Sequence, residues 1–447
     1  MLRVLRAVGM DRRTASAQPV RLRSYFFIFA LALLAALRAE GSEIPAPESP
    51  DVKSGLELNF RWDDGPIYEL WVLTPQLESE DRLGLVRDLG VVGRIGGSLF
   101  LDGGFVSGEG LGNSWDADVR RARIETYGHV SHWLETDYKF AVGFEKNKVY
   151  VNDFWVAWKP SWIDRIRIGY IDPPFSMEAL ASSTNTSFME EASPVSAFAP
   201  GYRLGIEARD QIGSPDIAWT TSVSSVGQSQ RFRDASDSPL RFSVRAAWRP
   251  EGVSDDPDAE LLHIGLSGGY SFSGSGDVHY RSRPESSLTS YLVDTGDIQG
   301  DAEQLGVELA RRSGPLRIEA EWLGSWVNGS SRSYFFSGSY AEVGWALTGE
   351  VRHYDPKSAL FTQSVPLNSF SWERGTWGGL ELASRVSYVD LTDGNVRGGR
   401  MLAVSAASIW SLNRFVRIHF DLIYADVKDR PGFGSNMIAQ MRLELAM

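Results

Sequence analysis

The side chains best suited to acid–base or metal chemistry are the six histidines. His419 alternates with Asp421 on one predicted strand, a pair that could move protons, but no serine occupies the sharp turn that a nucleophile requires. His129 and His132 fall at a predicted tight turn, where a solvent-exposed pair is favoured over a metal site. The absence of cysteine excludes disulfides and thiolate ligands. We therefore predict no enzyme activity, no metal and no cofactor.

Two further motifs resemble ligand sites but have simpler interpretations. The run Gly108-Glu-Gly-Leu-Gly112 imitates a phosphate-binding loop, yet a strand rather than a helix is predicted to follow it. The acidic cluster Asp255, Asp256 and Asp258 could hold calcium but fits a solvated turn better. A net charge of -12 also argues against a nucleic-acid partner, which would favour a basic face.

Most charged residues follow another pattern, in which they alternate with apolar residues at period two. Residues 316–322 read Leu-Arg-Ile-Glu-Ala-Glu-Trp, and residues 416–422 alternate in the same way. This period predicts strands with one wet face, and because charged faces recur on nearly all strands they must line a hydrated space. The predicted lining residues are Arg121, Arg123, Arg165, Arg167, Arg203, Arg245, Arg317, Arg385, Arg417, Glu125, Glu207, Glu308, Glu319, Glu321, Glu342, Glu381 and Asp421.

The elements that must position these charges are sixteen alternating segments, the first at 94–105 and the last at 435–447. Long gaps at 106–117, 172–201 and 273–301 alternate with short ones, which is typical of an outer-membrane barrel. Tryptophans lie mostly near predicted strand ends, where rings suit the lipid headgroup level. We predict an all-β transmembrane antiparallel β-barrel of about 16 strands, wet inside and apolar outside, with every backbone group paired.

The N-terminal 39 residues differ from the rest. They carry seven arginines against one acid, followed by an apolar run from Tyr25 to Leu37. This composition predicts a secretory signal peptide over 1–39. Residues 40–91 are interpreted as a periplasmic linker with a short hairpin that turns at Asp64 and Gly65, and residues 92–447 as the barrel.

Several runs of the sequence share one resemblance, among them Gly97-Ser-Leu-Phe-Leu-Asp-Gly-Gly104, Arg120-Arg-Ala-Arg-Ile124, Gly169-Tyr-Ile-Asp-Pro-Pro-Phe175, Ser187-Phe-Met-Glu190 and Trp377-Gly-Gly-Leu-Glu-Leu-Ala383. Together these runs resemble one family, the phosphate-selective porins O and P. The resemblance implies a trimeric porin of sixteen strands in the outer membrane, assembled by the barrel-assembly machinery and passing small polar or ionic solutes, phosphate or other anions among them. It also implies inward-folded segments that narrow the pore, at 172–201, 273–301 and 352–373.

The charges of the inward segments depart from the family pattern. Phosphate-preferring members use a lysine-rich constriction, whereas segment 172–201 carries four acids, Glu190 and Glu191 among them, and no base. Segment 273–301 adds Arg281 and Arg283 against five acids. These four residues are the constriction candidates, and their balance predicts little anion preference. Met447 also stands where such barrels usually end in an aromatic residue.

Two other functions fit the alternating pattern. A lipase-like outer-membrane barrel enzyme would need a hydroxyl nucleophile near His419. A secreted, soluble β-rich binding protein would need to bury the apolar face of each strand in a core. The family resemblance favours the porin, with outer-membrane lipid as its surroundings.

Overall fold

The computed structural model describes residues 55–62, 66–79, 82–131, 136–145, 148–213, 216–226, 240–251, 259–272, 277–329 and 331–447. The predicted signal peptide, residues 40–54 of the linker, His132, Asp255, Asp256 and Asp258 lie outside these ranges. Within them, no helix is long and apolar enough to cross a membrane.

Most of the described chain is strand. In chain order its elements are β1 (Gly55–Trp62), β2 (Pro66–Ser79), β3 (Arg82–Gly108), β4 (Gly112–Ser131), β5 (Thr136–Glu145), β6 (Lys148–Trp158), β7 (Arg165–Ile171), α1 (Met177–Leu180), α2 (Ser193–Phe198), β8 (Arg203–Ile212), β9 (Ile217–Ser225), β10 (Leu240–Trp248), β11 (Leu261–Phe272), β12 (Asp277–Val278), β13 (Arg281–Ser282), β14 (Val293–Asp294), β15 (Ile298–Ser313), β16 (Leu316–Gly329), β17 (Ser333–Ala346), β18 (Tyr354–Asp355), β19 (Leu360–Phe361), β20 (Gly379–Asp393), β21 (Val396–Ser411), β22 (Val416–Lys428) and β23 (Ser435–Ala446).

Sixteen of these strands form a closed barrel. From β3 to β11, through β15 to β17 and on through β20 to β23, each strand pairs antiparallel with the next, and β23 returns to pair with β3 from Ala446↔Ser98 to Asn436↔Gly108. The predicted barrel of about sixteen strands is confirmed. Closure leaves no open edge in the ring, so the backbone polar groups of the wall are paired.

The alternation of the sequence sets the two faces of the wall. On β20, Leu382 and Val386 point outward and are 43% and 50% exposed, whereas Glu381 and Arg385, each directly before one of them, point into the lumen and are buried. An exterior of exposed aliphatic side chains suits lipid, and an interior of paired charges suits water.

The wall is uneven in height. Strands β5–β10, which we call the low wall, have 7 to 11 residues. Strands β15–β17 and β20–β23, the tall wall, have 12 to 16.

The first two barrel strands are longer than predicted, and the predicted long loop at 106–117 is wrong. Strands β3 and β4 stay paired up to Gly108↔Gly112, so only three residues connect them. Gly110 and Gly112 have φ values of +88° and +71°, and glycine adopts such left-handed conformations without steric cost, which permits the tight turn. Strand β3 begins at Arg82, and its first part pairs with β2, which pairs in turn with β1.

Three connections fold into the barrel, as the family resemblance implied. We call them the first inward loop (172–202), which carries α1 and α2, the second inward loop (277–297), which carries β12–β14, and the long turn (347–378), which carries β18 and β19. Phe198 of the first loop packs through Tyr280 of the second onto Phe336 of the wall, with centroid distances of 5.1 and 6.1 Å. An apolar cluster thus fixes both loops against the inner face of the tall wall.

Candidate functional site

A water-accessible cavity of about 520 Å³ lies inside the barrel between the inward loops and the low wall. Ten basic side chains line it: Arg120, Arg121, Arg123, Lys139, Arg165, Arg167, Arg209, Arg245, Arg283 and Arg442. Seven acidic ones share the lining: Asp153, Asp172, Glu178, Glu190, Glu191, Glu207 and Glu285. Among described tall-wall residues, only Arg442 reaches the cavity. The narrow part of the lumen is therefore basic in balance and built on one side of the barrel.

Paired strands hold the low-wall charges in rows. Arg167 on β7 lies opposite Glu207 on β8 in the strand register, and the carboxylate of Glu207 accepts hydrogen bonds from Arg165 and Arg167 at 3.1 and 2.5 Å. Both guanidinium groups also lie 5.7 Å from the ring of Trp155. One buried acid between two arginines leaves an excess of positive charge facing the cavity, and the ring orients the arginines.

A second row lies on β4 to β6. Arg123 and Lys139 reach the same carboxylate, that of Asp153, at 3.5 and 3.1 Å, and Arg123 also contacts Glu125 at 3.0 Å. Arg121 has a neutral contact, since its guanidinium donates to the hydroxyl of Ser183.

Arg120 faces the lumen against the alternation rule. The β3–β4 register skips from Phe100↔Arg121 to Leu101↔Val119, so Arg120 is the extra residue of a β-bulge. A bulge places neighbouring residues on the same face of a strand. Sequence alternation predicted Arg121 and Arg123 as lining residues and missed Arg120 for this reason.

Glu190 of the first inward loop closes on this bulge. Its carboxylate accepts hydrogen bonds from Arg120 at 2.8 Å and from Arg442 at 2.9 Å. Burial alone would raise its pKa, but the two arginines outweigh burial and lower the pKa to about 2. Glu190 is therefore an ionised, neutralised group in the cavity wall.

Asp172 and Glu191 are in a different state. Burial and then the proximity of Glu191 raise the pKa of Asp172 to about 8. Glu191 opens onto the cavity, yet the loop and wall around it withdraw it from bulk water, and with Glu190 adjacent its pKa is raised to about 7. Both acids thus carry less than full negative charge near neutral pH.

The charges of the tall wall mainly bind the first inward loop. Arg385, fully buried, donates to Glu342 at 2.8 Å, to Glu178 of α1 at 2.5 Å and to the carbonyl of Glu190 at 3.1 Å. The carboxylate of Glu321 accepts from the backbone N–H groups of Met177 and Glu178 at 3.0 and 2.8 Å, which satisfies unpaired donors at the start of α1.

The long turn is bound in the same way from the other end of the barrel. Arg245 donates to the carbonyls of Ser358 and Ala359, both at 3.0 Å, and to the buried carboxylate of Glu308. At the tip, Lys357 reaches Asp164 at 2.8 Å on the β6–β7 connection, so the turn crosses the lumen from the tall wall to the low wall.

The predicted lining residues divide into two groups. Arg121, Arg123, Arg165, Arg167, Arg245 and Glu207 line the cavity, together with the constriction candidates Glu190, Glu191 and Arg283. The others do not line it: Arg203, Arg317, Arg385, Arg417, Glu125, Glu308, Glu319, Glu321, Glu342, Glu381, Asp421 and Arg281. The tall-wall residues in this second group do not reach the cavity because the first inward loop covers their part of the wall.

The proposed proton-transfer pair is not formed. His419 Nε2 lies 3.4 Å from Glu444, while Asp421 accepts from the backbone N–H of Met189 at 3.0 Å. His129 contacts Asp137 at 3.1 Å, and His132, the other member of that predicted pair, lies outside the described residues. No group of three or more potential metal ligands occurs among the described residues.

Sequence reasoning missed Arg120, Lys139, Asp153, Arg209, Glu285 and Arg442 as cavity residues. Arg442 alternates with apolar residues in the last strand, as Glu444 does, so this pattern could have predicted that it faces the lumen. Glu285 lies in the second inward loop and has a φ value of +53°. Because such a loop has no periodic sequence pattern, its course could not be predicted.

A closed barrel of sixteen strands with a polar lumen narrowed by inward loops is the architecture of an outer-membrane porin, a water-filled channel for passive diffusion. The family model of phosphate-selective porin O and P matches residues 99–446, and the chain belongs to this family. It is 27% identical over 394 residues to an uncharacterized protein of Caulobacter vibrioides, covering 84% of this chain and 75% of that one. It is 24% identical over 322 residues to Porin O of Pseudomonas aeruginosa, covering 64% and 69%.

Solved structures show the same fold. An anion-selective porin from Comamonas acidovorans is similar with a TM-score of 0.52 at 9% identity, covering 79% of this chain and 99% of that one. The trimer form of OmpT from Vibrio cholerae has a TM-score of 0.50 at 10% identity, with coverage of 79% and 99%. The family places the chain among channels rather than enzymes.

Proposed function

We propose that this porin prefers anions, without a tight site for any one of them. The observation that carries the proposal is the cavity lining, in which ten basic side chains face seven acidic ones. The raised pKa values of Asp172 and Glu191 reduce the acidic charge further. A basic constriction in a low-dielectric wall favours negative solutes.

This anion preference differs from the Sequence analysis, in which the charges of the inward segments predicted little preference for anions. That expectation counted the four acids of the first inward loop as free charges. Glu190 is instead neutralised by two arginines, and Glu178 by the buried Arg385. Composition does not show which charges are paired.

Pairing also limits affinity for phosphate. Arg165 and Arg167 share Glu207, and Arg123 and Lys139 share Asp153. A phosphate would have to compete with carboxylates that already occupy these donors. This arrangement supports a general attraction for anions rather than strong retention of phosphate.

Reversal potentials in planar bilayers under a KCl gradient test the preference. Arg283→Gln removes a cavity charge, whereas Arg281→Gln removes its neighbour, which stacks on the same Tyr291 ring but does not line the cavity. We expect wild type to favour chloride, Arg283→Gln to reduce that preference and Arg281→Gln to preserve it. A cation-selective wild type, or equal effects of both substitutions, would contradict the proposal.

The low wall supports a homotrimer. Strand β7 has seven residues, which at about 3.3 Å per residue and a tilt of about 40° span about 18 Å, less than the apolar band of about 25 Å. Ile168 of β7 and Ile206 of β8, on the outer face of the low wall, are more than half exposed in one chain. A partner chain against the low wall would complete the apolar thickness there. Ile168→Arg with Ile206→Arg should yield monomers by light scattering in detergent, and persisting trimers would contradict this placement.

Export and assembly complete the proposal. Residues 1–39 act as a signal peptide, and the barrel-assembly machinery inserts the mature chain into outer-membrane lipid. Met447 exchanges backbone hydrogen bonds with Gly97 at 3.0 and 3.1 Å, so the pairing of the last strand with β3 continues to Met447. Mass spectrometry of the protein from outer-membrane fractions should show an N-terminus after Ala39. Intact residues 1–39 in that fraction would refute cleavage.

A further inference from the structure

The cavity between the inward loops and the low wall has two unlike sides. The strands of the wall supply basic residues, which include Arg123, Lys139, Arg165 and Arg167. The inward segments supply apolar residues, which include Ala179, Leu180 and Ala181 at the end of α1 and Leu360 of the long turn. We call these last four residues the apolar side. A solute in this cavity therefore meets charge on one surface and hydrocarbon on another.

The apolar side is fixed before any solute enters. Leu360 packs against a small apolar cluster of Met177, Leu261, Ala310 and Phe361. The turn of α1 that presents Leu180 is capped, since the backbone N–H of Ala179 donates to the hydroxyl of Ser176 at 3.2 Å. Leu180 and Leu360 are only half-buried, so part of each side chain remains open to the cavity. A preformed surface of this kind binds without the cost of ordering it.

The acids of the inward loops do not make this side strongly charged. Glu178 and Glu190 are paired with arginines, and the carboxylate of Glu285 accepts hydrogen bonds from two serine hydroxyls, both at 2.6 Å. Asp172 and Glu191, with raised pKa values, carry less than full charge near neutral pH. The contrast between the two sides is therefore preserved.

Arg121 lies on the charged side but differs from the paired cations beside it. Among the described residues it forms no ion pair with a carboxylate, and its guanidinium donates to the hydroxyl of Ser183 and lies 5.0 Å from the ring centroid of Phe100. The ring orients the guanidinium, which can donate two parallel hydrogen bonds to a carboxylate. Ser183 follows Leu180 by three positions, a span of at most about 10 Å. A small molecule can thus reach Arg121 and the apolar side together.

We propose that the cavity selects organic carboxylates with an apolar body of about one ring, Arg121 receiving the carboxylate and Leu180 and Leu360 contacting the body. Such a solute adds the burial of apolar surface to the attraction of the arginine. Inorganic phosphate has no apolar surface to bury, and most of the cations that it would meet are already paired. A cavity of about 520 Å³ falls within the usual range for small-molecule sites. The inference rests on the anion preference proposed above and names the class of anion.

Block of the chloride current in planar bilayers tests this selection on the full-length porin. The added solutes are benzoate, cyclohexanecarboxylate, acetate and inorganic phosphate, with benzamide as the uncharged analogue of benzoate. We expect the half-blocking concentration of both ring carboxylates to be about tenfold lower than that of acetate or phosphate, because two or so methylene equivalents are buried. Benzamide should not block, since it lacks the charge that Arg121 receives.

Substitutions locate the site. Leu180→Ser should raise the half-blocking concentration of benzoate severalfold and that of phosphate much less, and Leu360→Ser is the second variant if the first does not form channels. Leu367→Ser is the matched control, because Leu367 lies on the same long turn, is 67% exposed and does not line the cavity. It should behave as wild type. Arg121→Gln should weaken the block by benzoate and by acetate alike, since both share the carboxylate.

Phosphate or acetate that blocks an anion-selective wild type as well as benzoate does would overturn the inference and leave the anion preference standing. Equal effects of Leu180→Ser and Leu367→Ser on benzoate block would also overturn it, because the apolar side would then have no part in selection. A wild type that favours cations in the reversal potential would overturn the proposed function itself. The two failures are therefore distinguishable in the same recordings.

Discussion

The low wall and the tall wall use the same two residue types, arginine and glutamate, for different purposes. On the low wall, Arg165 and Arg167 retain about 15% exposure and share one acid. On the tall wall, Arg385 has no exposure and meets Glu178, Glu342 and Glu285 within 3.8 Å. The difference is the inward loop, which covers one wall and leaves the other to water. In the proposed function, charges that face water set selectivity, and charges beneath the loop hold the loop that shapes the pore.

The largest effect is expected from breaking the tall-wall network. Arg385→Ala leaves Glu178 buried without its arginine and leaves Glu342 with Arg317 alone, which costs about 3–5 kcal/mol of folding free energy. The first inward loop also loses its hydrogen bonds to Arg385. Because the loop then narrows the pore less firmly, single-channel conductance should rise. Denaturant unfolding and bilayer recordings measure the two effects.

Arg400→Ala is the control for this change, since Arg400 is 47% exposed on the outer rim and pairs with Asp429 at 2.9 Å. Its loss should cost at most about 1 kcal/mol. If Arg385→Ala behaves like Arg400→Ala, the network does not hold the loop.

The same substitution on each wall sharpens the comparison. Glu207→Gln frees two cavity arginines and should increase anion preference severalfold in the permeability ratio. Glu381→Gln removes the negative charge that Arg352 and Arg317 contact beneath the loop. It should lower the free energy of unfolding by about 1–3 kcal/mol. Reversal potentials and denaturant midpoints give the two readouts. Identical readouts for both variants would remove the distinction between the walls.

Acidity should modulate selectivity through Asp172 and Glu191. A carboxyl with a raised pKa is uncharged below that pKa, so the cavity gains negative charge as pH rises through about 7 and about 8. Arginines facing these acids, such as Arg120 and Arg167, keep their charge over this interval. Anion preference should therefore fall between about pH 6 and pH 9. Asp172→Asn with Glu191→Gln should flatten the profile, and an unchanged slope would refute this origin.

The smallest effect is expected where the long turn touches the low wall. Lys357 is 54% exposed, and its contact with Asp164 is worth at most about 1 kcal/mol. Lys357→Ala should lower the unfolding free energy by no more than this. A double-mutant cycle with Asp164→Ala measures the coupling, and a value above about 2 kcal/mol would make this contact a principal tie of the turn.

The sequence predicted the barrel well because alternation is a local signal. Period two identified both faces of β16, β20 and β22, and sixteen segments implied closure. The state of each charge depends on contacts between distant residues and was not predictable in the same way. Glu190 and Arg442 are 252 positions apart, and only the loop conformation brings them together. The bulge at Arg120 adds one residue that alternation assigns to the wrong face.

The crossing of the lumen by the long turn has a consequence for the route of a solute. Asn185 of the first inward loop donates to the carbonyl of Phe361, so the two segments meet inside the barrel while the tip at Lys357 extends to the opposite side. This junction obstructs the tall-wall side of the lumen, so a permeating molecule must bend around it toward the cavity beside the low wall. The rate of passage should then depend on the length and rigidity of the solute as well as on its cross-section.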